Sequence, residues 1–193
     1  MRFQNYIIEK PYLSEKSSQF LDLILEIKIN VNDPDIIHPS RFIWMFSYKG
    51  EEYKFGANHM MLSNRKYGYV VEWGLIKDGK VSTDIVGGNR NAIGVFSKVM
   101  SCMAIFLKQE KPEAFSMTAK KELARIYDTL WLKFSQSSMF KEYFYKDRKM
   151  YKDIKGHDMF LYHYSKTPEE KLSESMLISI IHQFNGTDIK DFI

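Results

Sequence analysis

The chain has 193 residues, of which 45% are hydrophobic and 27% are charged, as in an ordinary globular protein with a sizeable core. A formal net charge of +4 is too small to indicate polyanion binding from the total alone. The single cysteine, Cys102, excludes an intrachain disulfide framework, and its place on an apolar helical pattern predicts burial. No segment approaches the ~20 apolar residues of a membrane span, and residues 1–10 lack a signal-peptide core. We therefore expect a cytoplasmic protein with no membrane partner.

Residues 19–86 predict an antiparallel meander that follows an N-terminal arm at residues 1–18. Apolar and polar side chains alternate from Leu21 to Asn30, which is the period of a strand with one buried face. A helix over residues 20–25 is the alternative interpretation of this segment. A connection between Pro34 and Pro39 leads to the next strand.

Two hairpins are predicted in the rest of this meander. Residues 42–48 are rich in aromatic and β-branched side chains, and Lys49-Gly50-Glu51 turns them into residues 53–55. Residues 69–76 form the second outgoing strand, and residues 81–86 return after a turn at Asp78-Gly79. An Asp-Gly pair suits the tight turn of such a hairpin, because both positions tolerate positive φ.

From Gly87 onward the pattern changes to alternating helices and strands. A helix beginning near Ala92 is predicted by apolar residues at three- and four-residue spacing: Ala92, Val95, Phe96, Val99, Met103, Phe106 and Leu107. A strand at 114–119, a helix at 123–134 and a strand at 159–164 follow. We expect one α+β domain over residues 1–193, with a mostly antiparallel, twisted sheet. Residues 87–164 form a loop-helix-strand-helix-strand unit whose two helices pack on this sheet. A C-terminal helix and tail occupy 167–193.

Two segments of this second half resemble motifs of the GCN5-related N-acetyltransferase fold. One is the loop Gly87-Gly88-Asn89-Arg90-Asn91-Ala92, and the other is Ala124-Arg125-Ile126-Tyr127-Asp128-Thr129-Leu130. The order meander, helix, strand, helix, strand is also similar to that family. Its glycine loop binds the pyrophosphate of acetyl-CoA, and its late-helix tyrosine protonates the leaving thiolate. The resemblance implies a divergent relative, since the glycine spacing differs and the family's two early helices have no room between Val31 and Ser40.

On this interpretation the cofactor is acetyl-CoA, bound by Gly87, Gly88, Asn89, Arg90, Asn91 and Ala92. Backbone N–H groups at a helix start favour a phosphate there. Acyl transfer also needs a base and an acid, for which Glu72 and Tyr127 are the candidates. A partly desolvated Glu72 would have a raised pKa. The alternatives are a simple strand-to-helix turn, an outward-facing Glu72 and a structural tyrosine.

A second functional class is a non-catalytic protein that binds a protein partner or a nucleic acid. Cations and aromatics alternate along residues 141–155, and a nucleic-acid face would use Lys146, Arg148, Lys149, Tyr151 and Lys152. Residues 69–130 also resemble small uncharacterised proteins of tailed phages, which implies a phage origin and the host cytoplasm but no chemistry. The five histidines are scattered, so no metal site is expected. The partners considered are therefore a small amine acceptor, a protein or a nucleic acid.

Overall fold

Eight strands and two α-helices lie in residues 27–61, 67–82, 89–135, 137–138, 140–153 and 156–167, which are the residues that the computed structural model describes. In chain order they are β1 (Ile36–Ser40), β2 (Ile43–Tyr48), β3 (Glu51–Met61), β4 (Tyr67–Lys77), β5 (Lys80–Ser82), α1 (Asn89–Glu110), β6 (Ala114–Lys120), α2 (Ala124–Phe134), β7 (Phe144–Lys152) and β8 (Asp158–Ser165). No described helix is both long enough and apolar enough to pass through a lipid bilayer.

The strands form one mixed sheet in the order β1-β2-β3-β4-β6-β8-β7, and β5 pairs with the end of β4. Every described pair is antiparallel except β4 with β6, which run parallel. Parallel neighbours need a long crossover, and α1 lies within the segment that supplies it. The expected α+β class with a mostly antiparallel sheet is confirmed, and the predicted meander and the later unit share this sheet.

The two predicted hairpin turns have the backbone that their residues indicate. Lys49 and Gly50 have φ of 52° and 82°, and Asp78 and Gly79 have φ of 51° and 75°. Two successive residues with positive φ are the mark of a turn whose twist matches the flanking strands. These turns fix the register of β2 on β3 and of β4 on β5.

Both helices pack on the same face of the sheet. Phe106 of α1 contacts Trp44 edge-to-face at 5.9 Å between ring centroids, and Tyr127 of α2 stacks on Tyr162 of β8 at 5.9 Å. The apolar positions predicted for α1 from Val95 to Leu107 are buried. Cys102 is fully buried as expected, and this burial raises the pKa of its thiol to about 12, with a smaller contribution from the charge of Asp33. The thiol is therefore unreactive at neutral pH.

Three sequence predictions need correction. Residues 36–40 form edge strand β1 and not a connection. Pro39 has no backbone N–H, but an edge strand tolerates this because one of its sides makes no ladder hydrogen bonds. Residues 27–30 have no regular secondary structure, so the predicted strand over 21–30 does not extend through them. Helix α1 begins at Asn89, three residues before the predicted start near Ala92.

Several further predictions lie outside the described residues. These are the N-terminal arm at 1–18, the strand or helix over 20–26, the return strand beyond Ser82, and the C-terminal helix and tail beyond Thr167. Strand β7 pairs along β8 and lies within the segment at 141–155 where cations and aromatics alternate.

Candidate functional site

Strand β4 changes its partner halfway along one edge. Its bridges to β6 run from Gly68 to Val71, and its bridges to β5 begin at Leu75. Between them, Glu72, Trp73 and Gly74 have no bridge on that edge to a described strand. Since β6 continues past its last bridge to β4 as far as Lys120, the two strands separate there and leave a gap in the sheet.

A cavity of about 80 Å³ lies beneath this gap, between the sheet and the two helices. Its interior is apolar, with Met103 from α1 and Leu130 from α2 among its walls. Glu72, Thr118 and Lys120 line it from the two separating strands. By strand alternation the side chains of these three residues lie on the sheet face away from the helices, so they border the cavity only at the gap between the two strands. The cavity is therefore polar at one end and apolar at the other.

Tyr127 lies on α2 against this cavity and is 7% exposed. Its hydroxyl oxygen accepts a hydrogen bond from the indole N–H of Trp73, with 3.2 Å between Nε1 and Oη. Burial raises the pKa of Tyr127 to about 12, and the hydrogen bond from Trp73 opposes this increase. Among the described residues no group accepts its hydroxyl proton. The phenol is therefore protonated at neutral pH and retains a proton that it can donate to a ligand.

Glu72 supplies the second titratable group of the cavity. It lies opposite Gly56 of β3, and it forms no hydrogen bond or ion pair with another described residue. Burial raises the pKa of Glu72 to about 7, and the charge of Lys54 opposes this increase. Lys54 is 5% exposed, and burial lowers its pKa against the attraction of Glu72. Glu72 thus exchanges a proton near neutral pH, as a general base must.

The two predicted catalytic residues are brought to one cavity, whereas the predicted phosphate loop is described only in part. Gly87 and Gly88 lie outside the described residues. Residues 89–92 form the first turn of α1, but their side chains are outside the described part of the chain. The assignment of this loop to acetyl-CoA therefore stays a prediction.

The alternative nucleic-acid face falls on strand β7: Lys146, Arg148, Lys149, Tyr151 and Lys152. Arg148 pairs with Asp128 at 2.9 Å, and Lys152 pairs with Asp158 at 3.2 Å. Tyr151 is half-buried, and Thr118 forms a hydrogen bond with it. Because neighbouring strand residues point to opposite faces, Lys149 and Tyr151 lie on the other side of the sheet from Arg148 and Lys152. The side chain of Lys146 is outside the described part. The four that are described do not form one cationic surface.

Sequence reasoning missed Trp73, Lys54 and Lys120 as residues of the site. The contact of Trp73 with Tyr127 joins positions 54 apart, and no local pattern indicates such a pair. Lys54 was open to prediction, because the register of the β3–β4 hairpin places it opposite Gly74 and diagonal to Glu72.

Within the described ranges, no three side chains of His, Cys, Asp or Glu come together as a group that could hold a metal ion. Comparison with known proteins gave no match: no family model, no curated protein and no solved structure is significantly similar to the chain.

Proposed function

We propose that this protein transfers an acyl group from a CoA thioester to an amine, with Glu72 as general base and Tyr127 as general acid. One observation carries the proposal: a carboxylate and a phenol, both without a described partner for the proton they exchange, line the same cavity. Buried polar groups are normally hydrogen-bonded. The hydroxyl of Tyr127 already accepts one bond from Trp73, so a ligand that accepts its proton and donates to Glu72 would complete the hydrogen bonding of both groups.

The reaction assigns one proton transfer to each residue. The amine nitrogen attacks the thioester carbonyl carbon and forms the new C–N bond, and the carboxylate of Glu72 accepts the amine proton. The C–S bond then breaks, and the hydroxyl of Tyr127 donates its proton to the departing sulfur. The products are an amide and free CoA, and the two side chains return to their starting protonation through solvent.

The pKa values of the two groups fit these roles. With a pKa of about 7, Glu72 is ionised in about half of the molecules at neutral pH and is a stronger base than an exposed carboxylate. With a pKa of about 12, Tyr127 is protonated throughout the physiological range. Two groups whose environments separate their pKa values in this way are a common arrangement for acid and base chemistry.

Two further features support a CoA thioester as the donor. The part of β4 between its bridges to β6 and to β5 has backbone N–H and C=O groups at an open strand edge, and the pantetheine arm of CoA carries two amides that can pair with such an edge. The first turn of α1 presents the positive end of a 22-residue helix to a phosphate. The element order also agrees with the acetyltransferase resemblance.

The non-catalytic alternative has weaker support. A nucleic acid would have to compete with Asp128 and Asp158 for Arg148 and Lys152. Such contacts would need to break before a phosphate could bind, which reduces the gain from counterion release. For a protein partner, the two large exposed apolar side chains that are described, Ile37 and Met150, lie on strands at opposite edges of the sheet.

Calorimetric titration with acetyl-CoA tests the donor. We expect saturable binding, retained in Glu72→Gln, because the base acts on the amine and not on CoA. Gly88→Trp in the predicted phosphate loop should abolish the binding. An absence of binding at millimolar acetyl-CoA, with the protein folded by circular dichroism, would contradict the proposal.

A further inference from the structure

We infer that the cavity holds a short, unbranched aliphatic chain of about three carbons, so that the preferred donor is butyryl-CoA and not acetyl-CoA. The inference rests on the proposed function, and it follows from where the cavity is polar and how large it is. It specifies the acyl group that the protein selects.

The polarity of the cavity places the reacting carbonyl at the gap. Tyr127 must reach the thioester sulfur and Glu72 the amine that attacks the carbonyl carbon, and Glu72 lies at the gap between β4 and β6. Beyond them the walls are hydrocarbon, aromatic or thioether: Val99, Met103, Phe115, Leu130 and Phe134. An acyl chain that continues inward from the carbonyl therefore leaves water for an apolar surface, which stabilises it by an amount proportional to its buried area.

The volume sets the length of that chain. A buried cavity of ~150 Å³ accommodates benzene, which has six carbons. At about 80 Å³, this cavity has roughly half that volume, which corresponds to about three carbons. A butyryl group has three carbons beyond its carbonyl carbon. An acetyl group has one, and would leave most of the cavity empty, whereas a benzoyl ring would exceed it.

Titration with a donor series measures this preference directly. CoA, acetyl-, propionyl-, butyryl-, octanoyl- and benzoyl-CoA are compared by calorimetry and by tryptophan fluorescence, since Trp73 and Trp131 both line the cavity. Affinity should increase roughly fourfold with each methylene from acetyl to butyryl. Octanoyl- and benzoyl-CoA should bind more weakly than butyryl-CoA.

A matched pair of variants tests whether the cavity sets the limit. Val99→Ile adds one methyl group to the wall and should shift the optimum from butyryl to propionyl. Val95→Ile makes the same change one turn earlier on α1, at a buried position that does not line the cavity, and should leave the optimum unchanged.

The outcomes separate the two proposals. Equal affinity for all the acyl-CoA compounds, or affinity that still increases at octanoyl, would overturn the chain-length inference and leave the acyl-transfer proposal intact. An identical shift in both valine variants would also overturn the inference. If neither CoA nor any thioester binds, both proposals are wrong.

Discussion

The indole N–H of Trp73 on β4 donates to the hydroxyl oxygen of Tyr127 on α2, at 3.2 Å, across a contact that joins the sheet to the second helix. Because the phenol oxygen accepts this bond, its own proton remains available for another partner. Trp73 also packs edge-to-face on Phe96 of α1 at 5.3 Å. One side chain therefore holds the candidate acid and contacts both helices.

Replacing Tyr127 with Phe removes the candidate acid and retains the ring that stacks on Tyr162. We expect the turnover number to fall by about 10²-fold, the typical contribution of a positioned acid, with little change in acyl-CoA affinity. Steady-state kinetics with separate kcat and KM measure this. A parallel loss of acyl-CoA affinity would indicate a binding role for the hydroxyl.

Trp73→Phe removes the indole hydrogen bond and retains an aromatic ring beside Phe96. Loss of one buried hydrogen bond should reduce the free energy of unfolding by about 1–2 kcal/mol, and the turnover number should also fall, since the phenol is less well fixed. Chemical denaturation and kinetics of the same preparation check both effects. Unchanged turnover would show that Trp73 does not position Tyr127.

The rate should depend on pH through Glu72. Since the base must be ionised, kcat/KM should increase about tenfold per pH unit below the pKa of about 7 of the free protein and level off above it. The pKa of Tyr127 at about 12 is too high to produce a decline below pH 10. A pH–rate profile measures this, and Glu72→Gln should lose the acidic limb together with most of its activity. A wild-type profile that is flat from pH 5 to 8 would contradict the role of Glu72.

Stability should change with pH in the opposite direction. The folded pKa of Glu72, about 7, is above its ordinary value of 4.5, so between these pH values the folded protein keeps a proton that the unfolded chain has lost. Stability is therefore lost as pH rises from about 4.5 to 7. At about 1.4 kcal/mol per pKa unit the loss is on the order of 3 kcal/mol. Urea unfolding at pH 4 and pH 8 should show this loss relative to Glu72→Gln, and parallel pH curves for the two proteins would contradict it.

Two glycines should respond differently to substitution by alanine. A methyl group at Gly74 would overlap the backbone carbonyl of Ser82 and the side chain of Val81, so Gly74→Ala should cost about 2–3 kcal/mol of folding free energy. At Gly94 it would meet the far end of the half-buried Tyr48 side chain, which has to shift, whereas alanine favours the helix. Gly94→Ala should therefore change stability by less than about 1 kcal/mol. Denaturation of both variants tests the difference, and equal costs would contradict the close approach of β5 to β4.

The sequence predicted those elements whose periodicity is local. The apolar spacing of α1, the Asp78-Gly79 turn and the alternation of β8 each depend on neighbouring residues, and each is present in the structure. Strand β1 was missed because two prolines within the six residues 34–39 are typical of a connection, whereas an edge strand tolerates Pro39. The start of α1 was misplaced because its first three residues carry no apolar signal.

The candidate site was predictable only as separate residues. Glu72 and Tyr127 were singled out by their residue types and positions, but the cavity that joins them depends on β4 exchanging β6 for β5 as its partner. Strand exchange of this kind is set by pairing between distant segments, which a single sequence does not encode in any local pattern. The burial that raises the pKa of Glu72 has the same origin.

The most direct test of acyl transfer is to measure amine-dependent release of CoA, whose free thiol is detected with a thiol reagent. The purified protein is given butyryl-CoA and, in turn, benzylamine, spermidine and a lysine-containing peptide. We predict that at least one amine accelerates thiol release, and that Glu72→Gln and Tyr127→Phe each reduce that rate by about 10²-fold while still binding butyryl-CoA. A rate of thiol release that does not change with any of the amines, or that is equal in the wild type and both variants, would contradict the assignment of Glu72 and Tyr127 as the base and acid of an acyltransferase.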